Sequence, residues 1–251
     1  MRLSENFEKT GNWFFRQRGL LPFLILPIVF SALQDSEAIE RIFGDTAQTL
    51  WEIFCITLSF SGLLTRVLTV GWIQQGTSGR NTEGQLADAL NTQGMYSLMR
   101  HPLYFGNFLI TFAMILFIEV WWLAVIFVLA FWLFYERIMF AEEAFLERSF
   151  GDRFKAWASE TPAFFPDFKH WKRPASRFSW RMVLRREYST FFGIITGFVI
   201  LKFFTELIGE REFEFRSFWL VSFLIGFAVY ITLRTLRKKT QLLNIAAPPQ
   251  R

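Results

Sequence analysis

The sequence is poor in the residues that disulfides and metal sites need. It has one cysteine, Cys55, inside an apolar run, and only two histidines, His101 and His170. A single cysteine excludes a disulfide or a thiolate cluster within the chain. Neither histidine belongs to a paired metal-ligand spacing, so the sequence predicts no metal site.

A basic stripe of the kind that binds nucleic acid is also missing. The net charge is +5 and the pI is about 9.6, but the Lys and Arg residues stand between apolar blocks. This distribution favours contact with an anionic lipid leaflet. We therefore expect a membrane as partner and no nucleic acid.

Apolar residues are abundant and are gathered in long blocks. They make up 52% of the chain, which includes 33 Phe and 10 Trp. A helix needs roughly 17 to 25 mostly apolar residues to cross the hydrocarbon core. Six segments approach this length, and they predict an all-α, polytopic transmembrane bundle of about six spans: 19–33, 50–73, 102–118, 120–140, 190–205 and 217–233.

The third and fourth segments form one run that is interrupted only by Glu119. Such a run is too long for one crossing at about 1.5 Å per residue, so it predicts a tight helical hairpin that turns at Glu119. The first segment carries Pro22 and Pro27, which favour a kinked or partly interfacial helix. The polar stretch before it is too long for a typical signal peptide, and we expect a retained anchor.

The charges of the loops predict the orientation. With a cytoplasmic N-terminus, the inner segments hold 21 Lys and Arg and the outer segments hold 3, as the positive-inside tendency requires. Both termini are then cytoplasmic. The inner segments are 1–18, 74–101, 141–189 and 234–251, and the outer ones are 34–49, Glu119 and 206–216.

Two polar motifs flank the hairpin on its cytoplasmic side, so we expect them to be neighbours. In the first, Pro102 suits the first helical position and His101 the N-cap. Free N–H groups of the first turn, with Arg100 and His101, would make an anion site. Tyr104 and Asn107 follow on the same helix face. The alternative is that Arg100 and His101 only mark a helix end.

The second motif contains Arg137 at the end of span four and then Glu142 and Glu143. Ionisable residues at the edge of a bilayer are costly, and they are usually paired or functional. Arg137 would supply a cation at this edge, and Glu142 and Glu143 would supply carboxylates. The alternative is that the glutamates are solvated residues of an interfacial helix.

Together these motifs resemble the isoprenylcysteine carboxyl methyltransferase family, whose superfamily includes phospholipid N-methyltransferases. The resemblance covers roughly residues 50–166 and rests on the order and spacing of its parts. These are GMYSLMRHPLYFGNF (94–108), Glu136-Arg137, EEAFL (142–146), FGDRF (150–154) and TPAFFP (161–166).

The resemblance implies an S-adenosylmethionine site within the membrane protein and no Rossmann domain, and the sequence has no GxGxxG after a strand. Carried over by motif position, the cofactor residues are Tyr96, Leu98, Arg100, His101, Tyr104, Gly106, Glu142 and Glu143. His101 or Arg100 would match the methionine carboxylate of the cofactor and a glutamate its ammonium. The expected catalytic residues are Arg137, which would orient an anionic methyl acceptor, and Glu143.

The family pattern is not followed everywhere. Phe154 and Trp157 stand where the family usually has Tyr, which puts a role of those hydroxyls in doubt. We expect an N-terminal span and outer loop (1–49), a methyltransferase core (50–166), and a basic linker with two further spans (167–251).

The substrate is less well defined. The loop 76–82, GTSGRNT, offers Arg80 and Asn81 as ligands for a headgroup, and Asn107 is a third candidate. The loop is equally consistent with an ordinary polar connection. With the extra spans, it resembles a bacterial branch of the family that includes lipid A phosphate methyltransferases, which favours a bacterial inner membrane. Arg66 in span two is expected to snorkel to the inner surface.

We therefore predict methylation of a lipid or lipid-anchored carboxylate or phosphate at the cytoplasmic face. Such an acceptor is already ionised, whereas an amine acceptor would need Glu142 or Glu143 as a base. N-methylation of a phospholipid amine is thus the alternative within the enzyme class. A transporter or a non-catalytic scaffold is the alternative from another class, although no span pair shows inverted repetition. The oligomeric state stays open.

Overall fold

The computed structural model describes residues 2–19, 25–36, 38–73, 87, 89–208, 217–240 and 242–243. Within this part of the chain every regular element is a helix. The α-helices are α1 (Leu3–Gln17), α2 (Leu26–Ala32), α3 (Ala38–Phe43), α4 (Asp45–Trp72), α5 (Met95–Leu98), α6 (Pro102–Leu116), α7 (Trp121–Phe150), α8 (Asp152–Glu160), α9 (Trp180–Ile208) and α10 (Ser217–Lys239). Short 3-10 helices cover Leu33–Asp35 and Phe168–His170.

Four of these helices are long and apolar enough to cross a membrane, namely α4, α7, α9 and α10, and α6 is a shorter apolar helix. Large apolar side chains lie exposed along α7 and α10, for example Leu129, Leu133, Leu224 and Ile225. Lipid is the environment in which such surfaces are stable. The chain is a multi-pass membrane protein with an all-α fold.

The hairpin between α6 and α7 turns where the sequence predicts it. Glu119 has φ 68°, a left-handed conformation that closes the turn. Its carboxylate accepts a hydrogen bond from the backbone N–H of Ile39 at 2.9 Å. The turn is thereby attached to the helix that precedes α4.

Several helices extend beyond the apolar segments that predicted them. The fourth span was expected over 120–140, but α7 continues to Phe150, and α9 begins at Trp180 rather than near 190. Hydropathy marks the part of a helix inside the membrane, and the helix continues into water. Within the first predicted span, 19–33, residue 19 and residues 25–33 belong to the described part.

The amphipathic helix α1 was not predicted. It packs along the C-terminal half of α7, and Gly11 makes this approach close. A Cβ at Gly11 would lie 2.8 Å from Cβ of Ala141 and would also overlap the carbonyl of Arg137. The Phe14 and Phe134 rings lie 4.9 Å apart. The N-terminal helix therefore lies beside the double-glutamate segment.

Two ion pairs attach α9 to α4. Arg66 pairs with Glu187 at 2.8 Å. Farther along α9, Lys202 lies 2.9 Å from Glu52 and 3.0 Å from Glu206. Charges this deep in a bundle are costly unless they are paired, so both contacts fix the way in which α9 docks.

Candidate active site

The segment 161–167 holds the Arg100-His101-Pro102 motif in place. The N–H groups of Arg100 and His101 donate to the carbonyls of Pro162 and Ala163 at 2.9 and 3.1 Å. His101 has an N-cap conformation, and α6 begins at Pro102, as the sequence predicts. This places the imidazole of His101 at the start of α6.

His101 lies between the two glutamates of α7. Its Nε2 is 2.9 Å from Oε1 of Glu143 and its Nδ1 is 3.4 Å from Oε2 of Glu142. The side chain of His101 is 5% exposed, whereas those of Glu142 and Glu143 are about one quarter exposed. The structure thus brings together the two motifs that flank the hairpin.

The two glutamates favour the charged form of His101. Burial alone would lower the pKa of His101, but the hydrogen bonds and negative charges of Glu142 and Glu143 outweigh it and raise the pKa above the ordinary 6.5. The two carboxylates therefore favour an imidazolium between them.

This raised pKa predicts a pH dependence of stability. An imidazolium favoured by the folded state stabilises it fully below pH 6.5, and the stabilisation is lost as pH rises through the raised pKa. The unfolding temperature of the purified protein should fall over that range. His101→Gln should remove this part of the decline, and an unchanged profile in that variant would contradict the assignment.

Arg100 is engaged with both the site and α8. Its Nε donates to Oε1 of Glu143 at 2.8 Å, and its Nη1 donates to the carbonyls of Ala158 and Thr161 at 2.7 and 3.1 Å. These contacts use Nε and Nη1, so Arg100 fixes Glu143 and joins α8 to it. Both ring nitrogens of His101 face the glutamates, so Arg100 is the better placed donor for a ligand carboxylate.

Tyr104 completes the cluster, and it leads to a residue that sequence reasoning missed. The Tyr104 hydroxyl donates to Oε1 of Glu142 at 2.6 Å, and its ring stacks on His101 with 5.7 Å between centroids. The centroid of the Tyr135 ring lies 4.9 Å from that of the Tyr104 ring. Tyr135 directly precedes Glu136-Arg137 in the sequence, and its position next to that motif is the signal that could have identified it as a site residue.

The side chain of Arg137 contacts α1. Its guanidinium carbon lies 4.8 Å from the centre of the Phe7 ring, and Nη1 donates to Oγ1 of Thr10 at 3.3 Å. Both contacts are to α1. The structure therefore places Arg137 in the docking of α1, while its expected role toward an acceptor stays a prediction.

The other predicted residues are distributed around the site. Gly106 faces α4, where a Cβ would lie 2.6 Å from Cγ of Arg66 and 2.8 Å from the Gly62 carbonyl. Asn107 accepts a hydrogen bond from Arg66. Leu98 is buried. Arg80 and Asn81 lie outside the described residues.

A cavity of about 260 Å³ lies beside Tyr96. It is formed by the end of α4, residues 89–96, Arg153 of α8 and residues 174–176. The backbone carbonyl of Tyr96 accepts from Nε1 of Trp157 at 3.1 Å. Trp157, which stands where the family usually has tyrosine, therefore donates this hydrogen bond through its indole N–H and is buried.

The donor set fits the methionine end of S-adenosylmethionine. That end carries an ammonium and a carboxylate, and the site offers two partly exposed carboxylates with the guanidinium of Arg100 beside them. Charge-assisted hydrogen bonds of this kind are about twice as strong as neutral ones. Among the described residues, no group of three or more His, Cys, Asp or Glu is arranged to hold a metal ion.

Comparison with known proteins gives an independent indication. Residues 51–153 match the family model described as phospholipid methyltransferase. This segment includes α6, the hairpin and α7, and therefore both motifs of the site. The match confirms the resemblance inferred from the sequence.

Two relatives carry names that refer to metal resistance. The chain is 38% identical over 107 residues to the nickel-cobalt-cadmium resistance protein NccN of Alcaligenes xylosoxydans xylosoxydans, covering 40% of this chain and 50% of the relative. It is 36% identical over 113 residues to the cobalt-zinc-cadmium resistance protein CzcN of Cupriavidus metallidurans, covering 44% and 49%. The chain thus matches about half the length of each relative. No solved structure matches.

Proposed function

We propose that the chain is an S-adenosylmethionine-dependent methyltransferase of a lipid or lipid-anchored acceptor, because residues 51–153 match the phospholipid methyltransferase family model. The acceptor is a carboxylate or phosphate oxygen, and the site works at the cytoplasmic face. The observation that carries the proposal is the position of His101 between Glu142 and Glu143, at the cytoplasmic end of the hairpin.

The residues of this cluster have distinct roles in the proposal. Glu142 and Glu143 hold the ammonium of the cofactor, His101 holds both glutamates in place, and Arg100 donates to the carboxylate of the cofactor. Arg100 keeps Glu143 in place through the contact at 2.8 Å. When bound, the cofactor supplies an electrophilic methyl group, so the protein contributes mainly by aligning the acceptor in line with it.

The acceptor governs whether a base is needed. A carboxylate or phosphate is ionised near neutral pH and attacks without losing a proton. Glu142 and Glu143 are then free to remain partners of His101, as the distances of 3.4 and 2.9 Å suggest. If the acceptor were an amine, one glutamate would have to leave this pairing in order to take the proton.

The orientation forms part of the proposal. Helix α1 runs along the end of α7 that carries the glutamates, and Glu8 pairs with Arg148 at 2.7 Å. The N-terminus and the site therefore share one side of the membrane, and loop charges favour the cytoplasm. Reporters fused to either terminus should read cytoplasmic, and one inserted in 206–216 should read the opposite side.

The proposal is tested with the purified full-length protein in lipid nanodiscs and S-adenosylmethionine labelled in its methyl group. Extracted lipids should acquire the label and gain the mass of one CH₂. Methanol released by mild base would identify a carboxyl methyl ester, and fragment masses would identify methyl on phosphate. Label on an amine would support the alternative acceptor. Failure to bind the cofactor would contradict the enzyme proposal and favour a scaffold or transporter.

A further inference from the structure

Residues 165–181 join the candidate active site to α9, and we call this segment the basic strap. It contains five Lys and Arg and one carboxylate, that of Asp167. The strap starts just after the two carbonyls that hold the backbone of Arg100 and His101. It ends in the first turn of α9, a helix long and apolar enough to cross the membrane. The strap therefore lies at the membrane surface, on the same side as the site.

The backbone of the strap is fixed to the core. The N–H of Asp167 donates to the carbonyl of Leu98 at 2.9 Å, and the N–H of Ser179 donates to the carbonyl of Gly71 at 2.8 Å. Further hydrogen bonds between these two join Lys172 to Gly94 and Ser97, Ala175 to Gln93, and Ser176 to Trp72. The side chains of the strap are therefore held at a defined position beside the site.

The cations of the strap differ from the arginine inside the bundle. Arg66 was expected to reach the inner surface, but its side chain is largely buried and paired with Glu187. Arg173, Arg177 and Arg181 of the strap are exposed, and within the described part of the chain none of them forms an ion pair with a carboxylate. Their charges are therefore open to an anion from outside the protein.

Large aromatic side chains are exposed among these cations. Those of Phe165, Phe168, Trp171 and Trp180 are between 46 and 74% exposed. Trp171 also contacts Trp72 at the end of α4, with 6.0 Å between ring centroids. Aromatic rings together with Lys and Arg are typical of protein surfaces that lie in the headgroup region of a membrane. The composition of the strap thus fits a lipid leaflet better than bulk water.

We propose that the basic strap binds the headgroups of anionic phospholipids beside the candidate active site. The phosphates pair with Arg173, Arg177 and Arg181, and the aromatic side chains lie among the lipids around them. Arginine suits this ligand, because its planar guanidinium donates two parallel hydrogen bonds to one phosphate. Since the strap is attached at the membrane surface, lipid is the anion that it meets at the highest concentration. The inference does not depend on which molecule accepts the methyl group.

The test measures lipid selectivity of the full chain. The protein is reconstituted in phosphatidylcholine membranes that contain a trace of spin-labelled phosphatidylglycerol or spin-labelled phosphatidylcholine. Electron paramagnetic resonance then gives the fraction of each lipid that is immobilised at the protein surface, and hence the preference for the anionic lipid. The strap variant is Arg173→Gln/Arg177→Gln/Arg181→Gln.

The end of α10 provides the matched control, Arg234→Gln/Lys238→Gln/Lys239→Gln. These three residues are exposed as well. They lie on the same side of the membrane, because Nη1 of Arg237 on α10 donates to the hydroxyl of Tyr188 near the start of α9. Both variants remove three positive charges, and only the first removes them from the strap.

The expected result is a loss of preference in the strap variant alone. The wild type should prefer phosphatidylglycerol by about fivefold, as for roughly one Lys or Arg at an anionic surface, and this preference should disappear at about 1 M salt. The strap variant should keep less than half of the preference. The control variant should keep the wild-type value, and so should Arg173→Lys/Arg177→Lys/Arg181→Lys, which retains the charges.

Two outcomes would overturn the inference. Equal binding of both lipids by the wild type would show that the strap is only solvated, and equal losses in the strap and control variants would show that only the net charge matters. If the strap variant does not fold, the wild type still decides. Phosphatidylglycerol with a photoreactive headgroup should label residues 165–181, and label confined to other segments would contradict the proposal. None of these measurements requires methyl transfer, so failure of the proposed function is a separate result.

Discussion

His101→Ala is expected to weaken binding of S-adenosylmethionine by about 10- to 100-fold. His101 holds both glutamates, and losing a hydrogen bond to a charged group costs roughly 1.5 to 3 kcal/mol. The imidazole is the buried cation between Glu142 and Glu143, so its removal also leaves two carboxylates facing each other. Glu143→Ala should have an effect of similar size, because Glu143 contacts both His101 and Arg100.

The chain supplies matched controls for both variants. His170 also contacts a carboxylate, that of Asp167 at 3.0 Å, but its side chain is 46% exposed. Glu147 lies one turn after Glu143 on α7 and pairs with Lys155 near the surface. His170→Ala and Glu147→Ala should keep the wild-type Kd, measured by titration calorimetry. Wild-type binding by both His101→Ala and Glu143→Ala would place the cofactor site elsewhere.

Gly62→Ala is expected to lower both stability and activity, although alanine favours a helix. A Cβ at Gly62 would lie 2.6 Å from the backbone carbonyl of Gly106 and 2.9 Å from Ile110. The two backbones must separate, and overpacking of this kind costs about 1 to 3 kcal/mol. Arg66 lies one turn after Gly62 and touches Gly106, so the separation should also move Arg66 away from Asn107.

Gly193→Ala provides a control of opposite sign. A Cβ at Gly193 meets no atom within 4 Å, and alanine is favoured over glycine inside a helix by about 1 kcal/mol. The unfolding temperature should therefore rise or stay level in Gly193→Ala and fall in Gly62→Ala. Equal behaviour of the two variants, followed by fluorescence during heating in nanodiscs, would contradict close α4–α6 packing at Gly62.

The hairpin and its two motifs could be predicted because each depends on local rules. The apolar run is too long for one crossing, which requires the turn at Glu119. A hairpin brings its two ends to the same membrane surface, which brings His101 to Glu142 and Glu143. Hydropathy and chain length were sufficient for this part of the site.

The rest of the site depends on how helices pack, and the sequence carries no comparable rule for that. Arg66 and Glu187 are 121 positions apart, and their pairing requires α9 to dock on α4. Helix α1 also lacked an apolar block, so the direction of Arg137 toward Thr10 could not be anticipated.

Photolabelling by S-adenosylmethionine tests the central claim most directly. The purified protein in nanodiscs is irradiated with the radiolabelled cofactor, digested, and mapped by mass spectrometry. The account predicts that the label falls on residues 94–108 or 142–154 and is displaced by excess S-adenosylhomocysteine. Label confined to α9 and α10, or no displaceable label, would contradict a cofactor site built around His101.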